Sequence, residues 1–178
     1  MIVHCRFNVH LNKIEGSDCG IVKNGIYRAL DFLRRLVVKL GNEFNKLLTF
    51  LMYYAYSENF ILPLSHDEVV HGKKSYLDRH PGDYWNKFAG ARGGLCWMMM
   101  HPGKKLLFMG TEYAPYREWA YEESLEWFML DYESHRLMQT FTRALNHLYL
   151  ERRELWEDDF SWAGYRWMGT EERDTNTI

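Results

Sequence analysis

The combination of side chains most suited to chemistry is a histidine followed by two acids, His66, Asp67 and Glu68. They come directly after Asn59–Leu64, a short apolar stretch between polar groups, which predicts a strand buried on both faces. Charged groups at the end of such a strand usually have a partner or a task, and a carboxylate there can accept strong hydrogen bonds. Backbone bonds to His66 and capping of the next turn by Asp67 would explain the pair equally well.

Nearby histidines raise the alternative of a metal centre. His66 and His71 are five positions apart, with His80 further on, whereas the helical zinc motif needs histidines at i and i+4. Pro63 and Gly72 also disfavour one continuous helix here. An N-terminal set fits no common zinc module either: His4, Cys5, His10 and Cys19. We therefore predict no metal site and no cofactor.

Helical patterns flank and separate two strand patterns, the second of which is Lys105–Met109. Asp83 is a suitable N-cap for a helix through Met100, whose glycines could allow close packing against a sheet. Ser134 is predicted to cap a later amphipathic helix with one apolar stripe, made of Leu137, Met138, Phe141, Leu145 and Leu148. Helical spacing is also found upstream, in residues 24–40 and 43–56.

This alternation of helices, strands and long loops predicts an α/β fold with a parallel sheet or barrel. In a (β/α)8 barrel, functional residues lie in the loops after the strands, and both long polar loops of this chain follow strands. A complete barrel needs ~250 residues, more than the 178 of this chain. We therefore predict a partial (β/α)8 TIM barrel of two βα units, followed by a further strand at Tyr165–Met168.

A longer stretch around the His-Asp pair resembles a known family. Residues 57–75 resemble the fourth conserved region of bacterial-type glycogen (1,4-α-glucan) branching enzymes, which belong to the α-amylase clan of glycoside hydrolases. The run His71-Gly72-Lys73 is specific to branching enzymes, whereas a bare His-Asp pair indicates only the clan. The resemblance covers roughly residues 43–168 and continues through Pro81–Trp85, His101–Gly110, Glu112, Arg117–Trp119 and Ser124–Trp127.

The resemblance implies a retaining transfer that cleaves an α-1,4-glucan and joins the freed chain to a 6-hydroxyl as an α-1,6 branch. Retention generally requires a nucleophilic carboxylate and an acid/base carboxyl ~5–5.5 Å apart, and the clan adds a third acid. Asp67 matches this third acid, the transition-state stabiliser, and His66 matches the histidine that holds the same sugar hydroxyls. Residues 1–42 contain no matching motif, so we expect no nucleophile and no general acid in this chain, and no activity from it alone.

Weaker site candidates follow the second strand pattern. By the same analogy Glu112 lies near the sugar, although a structural ion pair with an Arg or Lys explains it as well. Trp119 and Trp127 could line the acceptor path or simply pack the loop over residues 110–133. Family members usually carry Gly-Gly-Glu-Phe where this chain has Gly110-Thr111-Glu112-Tyr113, so Thr111 would be strained if that position needs a positive φ.

The resemblance also divides the chain and leaves alternatives. Residues 1–42 stay unassigned, residues 43–157 are expected to form the C-terminal part of the barrel, and residues 158–178 the start of an all-β, sandwich-like C-terminal domain. Another hydrolase of the α-amylase clan is one alternative. A non-catalytic remnant that still binds glucan is the other.

Composition limits the partners. The formal charge is −2 and no block of Lys and Arg stands out, so we expect no nucleic-acid partner. No apolar stretch approaches the ~20 residues of a membrane span, and no signal peptide is recognisable, so the cytoplasm is expected. Three widely spaced cysteines indicate no disulfide framework. The expected partner is an α-glucan, glycogen or a starch-like polysaccharide, and the expected parent enzyme is a monomer.

Overall fold

A computed structural model describes residues 51–53, 55–57 and 61–166. Over these residues the regular elements are strand β1 (Ile61–Leu64), helix α1 (Tyr84–Met100), strand β2 (Lys104–Leu107) and helix α2 (Glu133–Glu151). Short 3₁₀ helices lie at Leu51–Tyr53, His66–Glu68, Leu77–Arg79, Thr111–Tyr113, Trp127–Asp131 and Arg153–Leu155. Outside the described residues lie segment 1–42, the helix predicted for 24–40, most of that predicted for 43–56, and residues 167–178.

Strands β1 and β2 form a parallel pair connected through α1, which confirms the α/β class. Ile61 pairs with Lys104, and Leu64 pairs with Leu107. The pairing extends past the strand ends, because the Phe108 N–H donates to the Leu64 carbonyl oxygen at 2.7 Å. Both strands therefore end at the same edge of the sheet, and the loops that follow them leave it side by side.

Helix α1 begins where the sequence predicts it. Asp83 Oδ1 accepts a hydrogen bond from the Asn86 N–H at 2.8 Å, which is the bond expected of an N-cap. The helix ends at Met100, as predicted. Its buried apolar side chains join the core formed by β1 and α2, and they are Phe88, Ala91, Leu95, Met98 and Met99.

Gly90 of α1 lies against a buried histidine and not against the sheet. A Cβ atom added at Gly90 would lie 2.7 Å from His80 Nδ1, which is too close for any side chain unless something shifts. Gly93, on the same helix, is exposed and a Cβ there would meet nothing within 4 Å. The prediction that the helix glycines allow packing on a sheet is therefore wrong for Gly90 and Gly93, and it stays a prediction for the buried Gly94.

His80 is a packing residue beneath α1. It is 1% exposed, and its ring meets the Tyr76 ring edge-on with 5.1 Å between centroids. Neither ring nitrogen has a hydrogen-bond partner within the described residues. Burial, reinforced by the charge of Arg79, lowers the pKa of His80 to about 4. The imidazole is therefore neutral at pH 7.

Helix α2 differs from its prediction at its start and on its buried face. It begins at Glu133 with Tyr132 as N-cap and no side-chain cap, so the prediction of Ser134 as the cap is wrong. Leu137 and Leu148 of the predicted stripe are exposed. The residues that α2 buries include two polar ones: His135, Met138, Thr142 and Leu145. Periodicity of apolar residues could not reveal this, because the two polar residues are buried through hydrogen bonds.

Beyond α2 the chain returns to the start of β2. Asp159 is 3% exposed; its carboxylate pairs with Lys104 Nζ at 2.6 Å and accepts from the Gly103 N–H at 3.1 Å. Tyr165 and Arg166 have no strand structure, and the rest of the strand predicted there lies outside the described residues. None of the helices in the described ranges is long and apolar enough to cross a membrane.

Candidate functional site

The turn after β1 presents the His-Asp pair at the surface. Ser65 caps the 3₁₀ helix His66–Glu68, and its Oγ accepts from the Asp67 N–H at 3.3 Å. Glu68 Oε2 closes this capping box by accepting from the Ser65 N–H and from its hydroxyl, both at 2.6 Å. Glu68 is 1% exposed, whereas the side chains of His66 and Asp67 are 52% and 36% exposed. The buried acid therefore fixes the turn and leaves its two neighbours accessible.

His66 lies between a carboxylate and two aromatic rings. Its Nε2 atom is 3.0 Å from Asp67 Oδ1. The imidazole also contacts the rings of Phe108 and Trp119, with 6.1 and 5.8 Å between centroids. Phe108 and Trp119 pack edge-on at 5.1 Å, and both belong to the segment that follows β2. The end of β2 therefore helps to orient the imidazole that pairs with Asp67.

Trp119 is joined to the loop after β1 by its backbone as well. Its N–H donates to the Val69 carbonyl oxygen at 2.7 Å, and Trp119 forms a parallel bridge with Val70. The structure thus brings Trp119 together with His66 and Asp67. Trp119 is only partly buried, so packing of the loop and exposure toward a ligand are both compatible with its position.

Glu118 fixes the backbone of the loop at residues 71–74, a role that no local sequence pattern indicates. Its carboxylate accepts from the Gly72 N–H at 2.9 Å and from the Lys74 N–H at 2.5 Å. His71 Nδ1 lies 3.5 Å from the same carboxylate. The pKa of the Glu118 carboxyl is lowered below its usual value, mainly by the hydrogen bond from the Gly72 N–H. The Lys74 N–H and His71 lower it further. Glu118 is therefore ionised at neutral pH.

Glu112 is placed by helix α2. The Thr142 hydroxyl donates to the Glu112 carbonyl oxygen at 3.0 Å, and His135 Nδ1 lies 2.9 Å from the Tyr113 carbonyl oxygen. The Glu112 side chain is partly buried and forms no ion pair within the described residues. No hydrogen bond or ion pair links it to the His-Asp pair there. The structural ion pair considered for Glu112 is therefore not found in this part of the chain.

The threonine in the Glu112 segment is not strained. Gly110 takes the left-handed conformation, with a φ of 87°, and Thr111 is not among the non-glycine residues with positive φ. A Cβ at Gly110 would also approach Leu125 at 3.3 Å. Gly110 is thus the position that needs glycine, and the chain has glycine there. The backbone strain considered for Thr111 is not found.

An open depression lies beside Trp119, in the loop that follows β2. Its volume, counted out to the surrounding solvent, is about 380 Å³. Across it the Arg117 guanidinium pairs with the Glu123 carboxylate. It is lined by Met109, Pro115, Arg117, Glu118, Trp119, Ala120, Glu123, Ser124, Leu125 and Glu126. The exposed lining of the depression is therefore more apolar than polar, and it includes Trp119, which contacts the His66 ring.

The histidines considered as metal ligands lie in three different environments. His66 pairs with Asp67, the fully exposed His71 lies beside Glu118, and His80 is buried beneath α1. Across the residues that the structure describes, no group of three His, Cys, Asp or Glu side chains is arranged to hold a metal ion. The N-terminal set of His and Cys lies outside the described residues.

Comparison with known proteins bears on the resemblance stated from the sequence. No protein-family model matches the chain. The chain is 51% identical to the 1,4-alpha-glucan branching enzyme GlgB of Desulfitobacterium hafniense (strain Y51) over 152 residues, which are 85% of this chain and 23% of that enzyme. It is 51% identical to the GlgB enzyme of Halothermothrix orenii over 134 residues, 75% of this chain and 21% of that enzyme.

A third relative gives the same result. The GlgB enzyme of Aquifex aeolicus (strain VF5) is 52% identical over 124 residues, which cover 70% of this chain and 20% of that enzyme. The chain thus spans less than a quarter of the length of these relatives, while most of its own residues match them. The resemblance read from the sequence is confirmed, and the chain belongs, as a segment, to the family of the 1,4-alpha-glucan branching enzymes.

Proposed function

We propose that the chain is part of a glycogen branching enzyme, which cleaves α-1,4-glucan chains and transfers them to 6-hydroxyls as α-1,6 branches. The observation that carries the proposal is an accessible His66–Asp67 pair at the carboxyl end of a parallel strand. Its support comes from the 51% identity to a branching enzyme over 85% of the chain. In α/β folds, ligands bind at this end of the strands.

In this proposal Asp67 stabilises the transition state. As the bond at the anomeric carbon breaks, the sugar ring flattens and gains positive charge. Hydrogen bonds from its hydroxyls to a carboxylate are charge-assisted, and bonds that strengthen only at this point lower the barrier. His66 holds the same hydroxyls and, through its 3.0 Å contact, also keeps the Asp67 carboxylate in place.

The bond-making steps need two other carboxyl groups, for which this sequence contains no matching motif. One carboxylate attacks the anomeric carbon and displaces the 4-oxygen of the departing chain, which the other carboxyl protonates. The acceptor's 6-hydroxyl then gives its proton to that second group, and its oxygen displaces the first carboxylate. We infer that another part of the enzyme supplies both groups, and that the 178-residue chain alone has no branching activity.

Two further residues are assigned to substrate contact in this proposal. Trp119 offers part of its ring beside His66 and adjoins the open depression, so it can pack on the apolar face of a sugar. Glu112 has no ion-pair partner in the described ranges, which leaves its carboxylate able to accept a bond from a sugar hydroxyl.

The architecture follows from the same proposal. Strands β1 and β2 with helices α1 and α2 would be consecutive βα units of a (β/α)8 barrel, within residues 43–157. Residues 158–178 would begin an all-β C-terminal domain, and residues 1–42 stay unassigned. The parent enzyme would be a monomer in the cytoplasm.

A hybrid enzyme tests the proposed function. Residues 61–166 of this chain replace the matching segment of the Desulfitobacterium hafniense branching enzyme, and α-1,6 linkages formed from amylose are counted after debranching. We expect the hybrid to form branches, because the segment supplies the third acid while the host supplies the other two. A hybrid that folds, melts cooperatively and forms no branches would contradict the proposal.

A further inference from the structure

The loop at residues 71–74 combines exposed side chains with a fixed backbone. All four of its residues are exposed, so hydrophobic burial does not hold them. Gly72 and Lys74 both have positive φ, at 81° and 68°. For a lysine this conformation is unfavourable and persists only when surrounding contacts impose it. Something outside the loop must therefore determine its shape.

Glu118 provides that contact from the segment after β2. Alternating positive-φ residues turn their N–H groups toward one point, which is a common way to build a small anion site. In this loop the anion is a side chain of the protein itself, the Glu118 carboxylate. It accepts hydrogen bonds from the N–H groups of Gly72 and Lys74, which are 46 and 44 residues away in sequence. Hydrogen bonds to an ionised acceptor are stronger than neutral ones, so one side chain can hold the loop.

The same short segment also contacts the His-Asp pair. Trp119 follows Glu118 directly, packs on the His66 ring and donates its N–H to the Val69 carbonyl oxygen. A movement of Glu118 would therefore reach both the 71–74 loop and the imidazole that pairs with Asp67. We propose that Glu118 is a positioning residue, which holds the 71–74 loop and His66 in the positions that glucan transfer requires.

This proposal rests on the proposed function, because it assigns Glu118 a part in that reaction without contact to the reacting atoms. A small error in the placement of a site can lower a rate strongly while leaving the fold intact. Positioning by Glu118 therefore predicts a loss of kcat at unchanged thermal stability. A merely structural role predicts that activity falls only as far as stability does.

The test compares Glu118→Gln and Glu118→Ala with the control Glu122→Gln, an exposed neighbour whose carboxylate bonds only the Tyr121 hydroxyl among the described residues. In the full 178-residue chain, amide hydrogen exchange is measured at Gly72 and Lys74. We expect protection to fall by about tenfold or more in Glu118→Ala and by less in Glu118→Gln, which keeps one acceptor oxygen. Glu122→Gln should leave both amides unchanged.

The same variants are then measured in the hybrid enzyme. We expect kcat to fall about tenfold in Glu118→Ala, with partial rescue by Gln, while KM and the melting temperature change little. Unchanged amide protection in Glu118→Ala, unchanged kcat in an active hybrid, or a kcat loss matched by a lower melting temperature would each overturn the proposal. An unmutated hybrid that folds and melts cooperatively but is inactive would refute the proposed function instead, and amide exchange alone would then decide whether Glu118 sets the loop.

Discussion

We expect Asp67→Asn in the hybrid enzyme to lower kcat by roughly 10²–10³-fold, with KM changed only a few-fold. Asparagine keeps the size of the side chain and one oxygen toward His66, but it removes the charge. The carboxylate is needed most when the sugar carries positive charge, so its loss raises the barrier more than it weakens substrate binding. Initial rates of branch formation over a range of amylose concentrations give both constants.

Asp131→Asn is the matched control for this prediction. Asp131 is exposed at the end of the 3₁₀ helix Trp127–Asp131, and it is not part of the candidate site. Its replacement should leave kcat and KM unchanged. An Asp67→Asn enzyme with normal kcat would remove Asp67 from the catalytic set, and a raised KM with normal kcat would limit it to ground-state binding.

The second large effect concerns stability. Gly90→Ala should lower the free energy of unfolding by about 1–3 kcal/mol, because the new Cβ must displace the His80 ring or the helix. The atoms it would meet at 2.7–3.1 Å belong to a ring that is itself fully packed against Tyr76. Chemical denaturation of the 178-residue chain measures the change.

Gly93→Ala on the same helix is the control, with the opposite expected sign. Its Cβ meets nothing, and alanine forms helix better than glycine, so the variant should gain about 0.5–1 kcal/mol. The double variant with Gly90→Ala and His80→Ala should lose less free energy of unfolding than the sum of the losses in the two single variants. Equal effects of the two glycine substitutions, or strict additivity with His80→Ala, would contradict the packing described for Gly90.

Local signals were sufficient where an element depends on its own residues. The apolar stretches before Ser65 and after Lys104 both form strands. Leu62 and Leu64 of β1 are buried as predicted, whereas β2 exposes Leu106 and buries Lys105. Asp83 caps α1 because a cap needs only residues three positions away. The strand ends were less well predicted: β2 stops at Leu107, two residues short, because the chain turns directly afterwards. Gly110 has a positive φ, and the Thr111 N–H donates back to the Phe108 carbonyl oxygen at 3.1 Å.

Contacts between distant segments were not predictable in this way. Ser134 resembles a cap in sequence, yet α2 begins before it, and its buried face is decided by carbonyl groups of Glu112 and Tyr113 that need partners. The tie between Glu118 and the loop after β1 joins residues more than forty positions apart. The His-Asp pair itself could be found from sequence because both residues lie in one turn, but its accessibility could not.

The central claim is that the exposed His66–Asp67 pair binds the sugar whose bond is cleaved. A crystal structure of the hybrid enzyme with a bound maltooligosaccharide tests this most directly. The account predicts hydroxyls of one glucose unit within hydrogen-bond distance of both the Asp67 carboxylate and His66 Nε2. A glucan bound in the cleft with neither residue in contact with any sugar unit would contradict it.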